Sequence, residues 1–170
     1  MTKTKIFIIN GYPTVGKDYL IKSLNEIHGI DIKNISTVDL PKNISIPLGY
    51  SEEDKQKFRC WLSDLKDLID KHFDKLTIRC CVDMCEENKY NFIHSREPEN
   101  IDLLKRLCIE KGYDVNTILV TADWIDTSSL NNHADLNVMN YKYDLVFENT
   151  KDVNTFNTRL ENFKETLNKL

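Results

Sequence analysis

The sequence predicts an α/β fold, a three-layer sandwich around a five-stranded parallel sheet, and three observations predict it. Short apolar segments rich in Ile, Val, Phe and Tyr alternate with helical patterns along the chain, which is the order that builds parallel strands with crossover helices. A glycine-containing loop lies between the first strand and the first helix. The chain has 170 residues and 41% hydrophobic content, enough for one sizeable core and too little for two ordinary domains and a linker. Residues 1–170 therefore read as a single domain.

The first strand is Lys5 to Asn10, a buried run of Ile and Phe. From Gly16 the pattern becomes helical, with Tyr19, Leu20, Ser23, Leu24 and Ile27 on neighbouring turns. A second strand is predicted over Asn34 to Asp39, and Pro41, Asn43 and Pro47 mark a loop after it. A long amphipathic helix is predicted from Glu52 to about Lys75, its stripe formed by Phe58, Trp61, Leu62, Leu65, Leu68, Ile69 and Phe73. Three more strands follow at Tyr90 to His94, Thr117 to Thr121 and Tyr143 to Glu148. The last helix buries Phe156, Leu160, Phe163 and Leu167.

A formal charge of −4 without a basic block argues against a nucleic-acid surface. No long apolar run and no signal-like start is present, so a cytoplasmic location is expected, with no membrane partner. Of the five cysteines, Cys80, Cys81 and Cys85 fall in a helix after Leu76. Cys81 and Cys85 have i, i+4 spacing, but no second pair or matching His follows, so buried reduced thiols are expected.

The segment Gly11-Tyr12-Pro13-Thr14-Val15-Gly16-Lys17-Asp18 is a phosphate-binding P-loop in its required place between strand and helix. Gly11 and Gly16 permit the close backbone approach that lets successive N–H groups face phosphate oxygens. Lys17 adds a mobile cation, and the helix start adds the positive end of its dipole. Thr14 and Val15 in the loop and Tyr19 in the helix complete the candidate phosphate-binding set. Asp18 stands where a Ser or Thr hydroxyl ordinarily ligates magnesium, so a carboxylate near phosphate requires a cation or metal-bound water between them. The fold is accordingly expected to be that of the P-loop nucleoside triphosphate hydrolases and kinases, binding ATP with Mg²⁺.

Ligands of such sheets bind at the carboxyl ends of the strands, which selects the other candidates. Phosphoryl transfer needs cations from several places. Arg96, directly after a strand in His94-Ser95-Arg96-Glu97-Pro98-Glu99-Asn100, is the first, and an ion pair with Glu97 or Glu99 is its structural alternative. Lys42 after Asp39, and Arg59 and Lys66 on the long helix, are acceptor-side candidates, although a plain amphipathic helix also explains the last two. His94 takes the place of the strand-end Asp that assists magnesium, leaving Asp18, Asp39 or Asp123 for that task. His133 and Asp135 suit a lid, although a lone exposed His is more often structural or inert.

Together these residues resemble the P-loop kinases whose motif ends in Gly-Lys-Asp, a group that includes phage-type deoxynucleoside monophosphate kinases and phosphomevalonate kinases. The matching segments are Gly11 to Asp18, Ser95 to Glu99, Asp39-Leu40-Pro41-Lys42, and Asn132 to Asp135 followed by Tyr143 to Asn149. The resemblance implies an adenylate-kinase-like sandwich with an acceptor-side helical region at about 40–88 and a lid-like segment at about 121–136. It implies Lys17 and Arg96 as the catalytic cations and Asp18 in the metal shell, through water. It also implies Lys42 and Arg96 on the acceptor, where Asp39, Arg59 and Lys66 join them as candidates, and Asn149, Thr150 and Lys151 on the adenine side. The function it implies is ATP-dependent phosphoryl transfer to a small phosphorylated metabolite, a (deoxy)nucleoside monophosphate first. Because 121–136 has no Arg or Lys, a nucleotide-binding regulator with little transfer, or a hydrolase switch, stands beside that expectation.

Overall fold

The computed structural model describes residues 4–125 and 137–170. In chain order they form β1 (Lys5–Asn10), α1 (Lys17–His28), β2 (Ile32–Ser36), α2 (Asp39–Ser45), α3 (Arg59–His72), α4 (Leu76–Asp83) and β3 (Tyr90–His94). Then come α5 (Pro98–Glu110), β4 (Asp114–Ala122), β5 (Leu145–Asn149) and α6 (Val153–Lys169). All strand pairs are parallel, in the order β2-β3-β1-β4-β5, with Lys5 opposite both Tyr90 and Asp114. β1 is central because its Ile and Phe residues are fully buried on both faces.

The strand period of two divides the core. Phe7 and Ile9 join Phe92, Ile118, Val120 and Phe147 beneath α1 and α6, the latter through Phe156, Leu160, Phe163 and Leu167. Ile6 and Ile8 join Ile35 and Ile93 on the opposite face, covered by Ile78, Cys81 and Val82 of α4 and Ile101, Leu104 and Cys108 of α5. Helices on both faces of a parallel sheet give the three layers expected from the sequence. Among the described residues no helix is long and apolar enough to cross a membrane.

Three local expectations change. The strand expected at Asn34–Asp39 runs instead over Ile32–Ser36, because Asp39 Oδ2 accepts from the Ser36 N–H at 2.7 Å and turns the chain. Asp39 then starts α2, so Pro41 lies in a helical first turn rather than a loop; its missing N–H has no in-helix partner to lose there. The long helix is broken too. A 3₁₀ turn at Glu52–Asp54 precedes α3, which buries Leu62, Lys66, Ile69 and Asp70, whereas Trp61, Leu68 and Phe73 are 44–60% exposed. The apolar arc is wider than the face that packs, and the side facing α4 and the β3–α5 corner takes an ionic cluster instead.

Candidate active site

The loop after β1 is held from both ends by buried amides. Asn10 Oδ1 accepts from the Gly11 N–H at 2.8 Å, while its Nδ2 donates to the Arg96 carbonyl at 3.0 Å and to the Tyr143 hydroxyl at 2.7 Å. Tyr143 donates in turn to the Val138 carbonyl at 2.8 Å. One side chain thus ties the start of the P-loop to the segment carrying Arg96 and to the approach of β5. At the other end, Asn149 Nδ2 donates to the Val15 carbonyl at 2.8 Å and Asn149 Oδ1 accepts from the Thr150 N–H at 2.8 Å.

Both glycines are required by this packing. Gly11 has φ 147° and a Cβ there would stand 2.5 Å from the Val120 carbonyl oxygen; Gly16 has φ 90° and a Cβ there would overlap Asn149 Nδ2. Thr14 also adopts positive φ, at 60°, a conformation that costs a β-branched residue energy and that persists here inside a constrained loop. Val15 is fully buried in the core beneath. Lys17 Nζ donates to the Gly11 and Tyr12 carbonyls at 2.6 and 2.9 Å, so its ammonium lies along the loop. Asp18 and Tyr19 follow in the first turn of α1, where backbone N–H groups lack in-helix acceptors; the Tyr19 ring packs on Phe156 with centroids 5.0 Å apart.

Across the strand ends, His94 Nε2 lies 2.9 Å from Asn34 Oδ1 and 3.6 Å from Asp18 Oδ1. Burial pushes the imidazole pKa down to about 4; Asp18 works against that, and Lys17, Lys55 and Arg96 reinforce it. At neutral pH the ring is therefore uncharged, and its closeness to Asp18 is not an ion pair. Of these three cations, Lys17 belongs to the P-loop, Arg96 follows β3 and Lys55 lies in the turn before α3. Lys55 was not among the residues singled out from the sequence, since nothing in its local spacing distinguishes it from its lysine neighbours. The Ser95 hydroxyl, beside His94 in sequence, is buried without a hydrogen-bond partner.

The residues expected on the acceptor side are placed unequally. Lys42 is bound to Glu52 at 2.8 Å and lies 3.8 Å from Asp39. Burial draws its pKa down, but Glu52 outweighs that and holds it above the usual lysine value. Lys66, 6% exposed, is 3.3 Å from Asp67, 3.5 Å from Glu97 and 3.9 Å from Asp70. Burial would again lower its pKa, and the three carboxylates reverse the shift. Its ammonium is engaged with Glu97, next to Arg96, and Asp70 accepts from the Thr77 N–H and hydroxyl at 2.9 Å each. Lys66 thus fixes the corner that carries Arg96. Glu97 pairs with Lys66 and Asn100. Arg59 is exposed at the start of α3.

Of the residues expected on the adenine side, Asn149 has both side-chain groups engaged in holding the P-loop and the next turn. Thr150 and Asn149 line a cleft of about 210 Å³ with Thr121, Ala122, Asp123, Glu148 and Arg159. Lys151 Nζ stands 5.4 Å from the centre of the Trp124 ring. Trp124 and Arg159 escaped the sequence reading because one follows a strand without a motif and the other lies on the last helix, far along the chain. His133 and Asp135, and positions 126–136 of the lid-like segment, lie outside the described residues. All five cysteines are free; of the three expected to be buried, Cys81 is, while Cys80 and Cys85 are half-buried; Cys108 is buried too, and Cys60, on the outward side of α3, is exposed.

A divalent ion has a place to fit. Asp18 Oδ1 at the helix start and the neutral His94 Nε2 lie 3.6 Å apart and offer two donors, and among the described residues no group of three or more His, Cys, Asp or Glu side chains could hold a metal ion by itself. Protein donors alone would leave the shell incomplete, as suits an ion bound with phosphate.

No family model matches the chain, and no curated protein does. Solved structures do match over nearly the full length. The APS kinase of Mycobacterium tuberculosis, in complex with AMPPNP and APS, aligns at a TM-score of 0.51 and 13% identity, covering 100% of both chains. The chain has the P-loop kinase fold. Shikimate kinase from Bacteroides thetaiotaomicron aligns at a TM-score of 0.52 and 11% identity over 96% of this chain and 98% of that one. A Chloroflexus aurantiacus protein provisionally assigned as a kinase gives 0.57 and 13% over 99% of each. Within that fold, the P-loop described here occupies the β1–α1 turn at the carboxyl end of the sheet.

Proposed function

We propose that this chain is a cytoplasmic, ATP-dependent small-molecule kinase whose acceptor is a small phosphorylated metabolite, a (deoxy)nucleoside monophosphate in the first instance. The observation that carries it is that Lys17 lies along the P-loop while Asn10 ties the start of that loop to the backbone of Arg96 at the β3 end, so that cations from two separate elements border one site. A site that only anchored a nucleotide would need the P-loop cation; charge gathered from the acceptor side suits two phosphate-bearing reactants.

In the proposed reaction an acceptor phosphate oxygen bonds to the γ-phosphorus of ATP as the bond from that phosphorus to the bridging oxygen breaks, releasing ADP. Loop N–H groups from Thr14 to Tyr19 bind the donor phosphates, and Lys17 follows the transferred group. Arg96 binds the acceptor phosphate bidentately. Asp18 lies in the metal shell; Mg²⁺, when bound, neutralises charge on the donor phosphates. An acceptor phosphate is largely ionised at neutral pH, with a second pKa of about 6, so no base has to remove a proton. Thr150, with Lys151 and Trp124 beside it, forms the side on which adenine rests.

The test is ADP production from Mg-ATP across ribo- and deoxyribonucleoside monophosphates plus phosphomevalonate. One acceptor is expected to stimulate turnover, Lys17→Ala to abolish it and Arg96→Ala to raise the acceptor KM. ATP binding without stimulation by any acceptor would refute the kinase proposal and leave a nucleotide-binding regulator.

A further inference from the structure

Around one imidazole nitrogen, three side chains from three elements meet. His94 Nε2 at the end of β3 lies 2.9 Å from Asn34 Oδ1 on β2 and 3.6 Å from Asp18 Oδ1 in the first turn of α1. Two ligands of a single ion, each about 2.0–2.2 Å from it, stand roughly 2.8–3.6 Å apart between right-angled and tetrahedral arrangements. The His94–Asp18 separation falls at the upper, tetrahedral end of that range, while the Asn34 separation is that of a hydrogen bond, which the ion would replace.

The chemistry of the pair is unusual for this loop. The position after the P-loop lysine ordinarily offers a hydroxyl to the metal, and a separate Asp offers the carboxylate. Here Asp18 puts the carboxylate on the helix, an imidazole stands at the strand end, and the two are in contact. Asp39, the neighbouring carboxylate, has one oxygen engaged by the Ser36 N–H. Mg²⁺ is a hard ion that takes oxygen ligands and water, whereas imidazole nitrogen suits first-row transition ions.

We propose that Asp18 and His94 hold the divalent ion between them, through a carboxylate oxygen and Nε2, so that the triphosphate is bound with a first-row transition ion in preference to Mg²⁺. With Nε2 as ligand the ring proton resides on Nδ1, and Asn34 Oδ1 becomes a neighbouring oxygen donor instead of a hydrogen-bond acceptor. The protein supplies too few ligands to hold the ion alone, so phosphate oxygens and water complete the shell and the ion binds with the nucleotide. The inference presupposes the triphosphate site proposed above.

Co²⁺ is the probe of affinity and Mn²⁺ the probe of ligation. Calorimetric titration of the native protein with AMPPNP is expected to give about tenfold tighter binding with Co²⁺ than with Mg²⁺, and His94→Asp to erase that difference. Pulsed electron paramagnetic resonance of the Mn²⁺–AMPPNP complex supplies a readout that needs no variant: protein labelled with ¹⁵N-histidine is expected to show a ¹⁵N coupling to the ion. Tight AMPPNP binding with no histidine coupling and equal affinity in the two metals overturns the inference while leaving the triphosphate site standing. Failure to bind AMPPNP with either metal overturns both.

Discussion

Replacing Gly16 by Ala tests whether Asn149 and the P-loop are one mechanical unit. At φ 90° the new side chain meets left-handed strain of about 1–2 kcal/mol. Its Cβ also displaces Asn149 Nδ2 from the Val15 carbonyl, breaking a buried 2.8 Å bond and leaving an unpaired acceptor, a loss of about 1–3 kcal/mol. The expected total is about 2–5 kcal/mol, a large share of the roughly 5–15 kcal/mol that holds a domain together. Asn149→Ala alone should lose about 1–3 kcal/mol, from the same bond and from the Thr150 N–H it accepts. In the double variant the obstruction has gone, so the shared bond is lost once and the singles overshoot the double by about 1–3 kcal/mol. Urea denaturation of the four proteins gives this coupling, and calorimetry with AMPPNP shows whether the loop still binds phosphate. Additivity within about 0.5 kcal/mol would refute the claim that Asn149 is the reason position 16 must be glycine.

Three further outcomes follow from the ionic and thiol groups. Lys66→Met should destabilise by about 3–5 kcal/mol in urea denaturation, since it strands buried Asp70 and half-buried Glu97, and a shift under 1 kcal/mol would contradict the ionic cluster. His94 accepts its proton near pH 6.5 when unfolded and near pH 4 when folded, so its contribution is complete above pH 6.5 and is lost as pH falls toward 4. Its size is of the order of 3 kcal/mol, and His94→Asn should flatten that part of the stability–pH curve. Cys60 should react with a thiol reagent first, and Cys81 and Cys108 only on unfolding, because burial raises both thiols and takes Cys108 to about 12. Peptide mapping after brief labelling checks the order.

The sheet was legible because its signals are local. Lys5–Asn10 and Tyr90–His94 are apolar runs bounded by polar residues, and the last helix spaces Phe156, Leu160, Phe163 and Leu167 so that one stripe can only face the core. The P-loop was equally legible, since glycine spacing and lysine position express a backbone requirement that Gly11 and Gly16 meet in the structure. The 40–75 region was not. There Pro41 can end a strand or sit in a helical first turn, and the choice falls to Asp39 accepting from Ser36. Likewise the apolar content of α3 exceeds what its neighbours cover, and periodicity does not reveal that Lys66 and Asp70 occupy the buried face.

Charge shows the limit most plainly. Lys42, Lys55 and Lys66 look alike in sequence, and each lies within a few positions of acidic residues. Folding separates them by partner. Glu52 takes Lys42, and Asp67, Asp70 and Glu97 enclose Lys66, so these two cations stabilise the α2–α3 region and, through Glu97, the corner behind Arg96. Lys55 is exposed, and its field, like those of Lys17 and Arg96, reaches His94. If acceptor phosphate binds where these three fields overlap, Lys55→Ala should weaken acceptor binding by about tenfold with little change in stability, the value of roughly one charge-assisted contact. Lys66→Ala should do the reverse. Acceptor affinity unchanged in Lys55→Ala and lowered in folded Lys66→Ala would mean that the buried cluster opens to meet substrate, and that the cations are arranged differently when the site is filled.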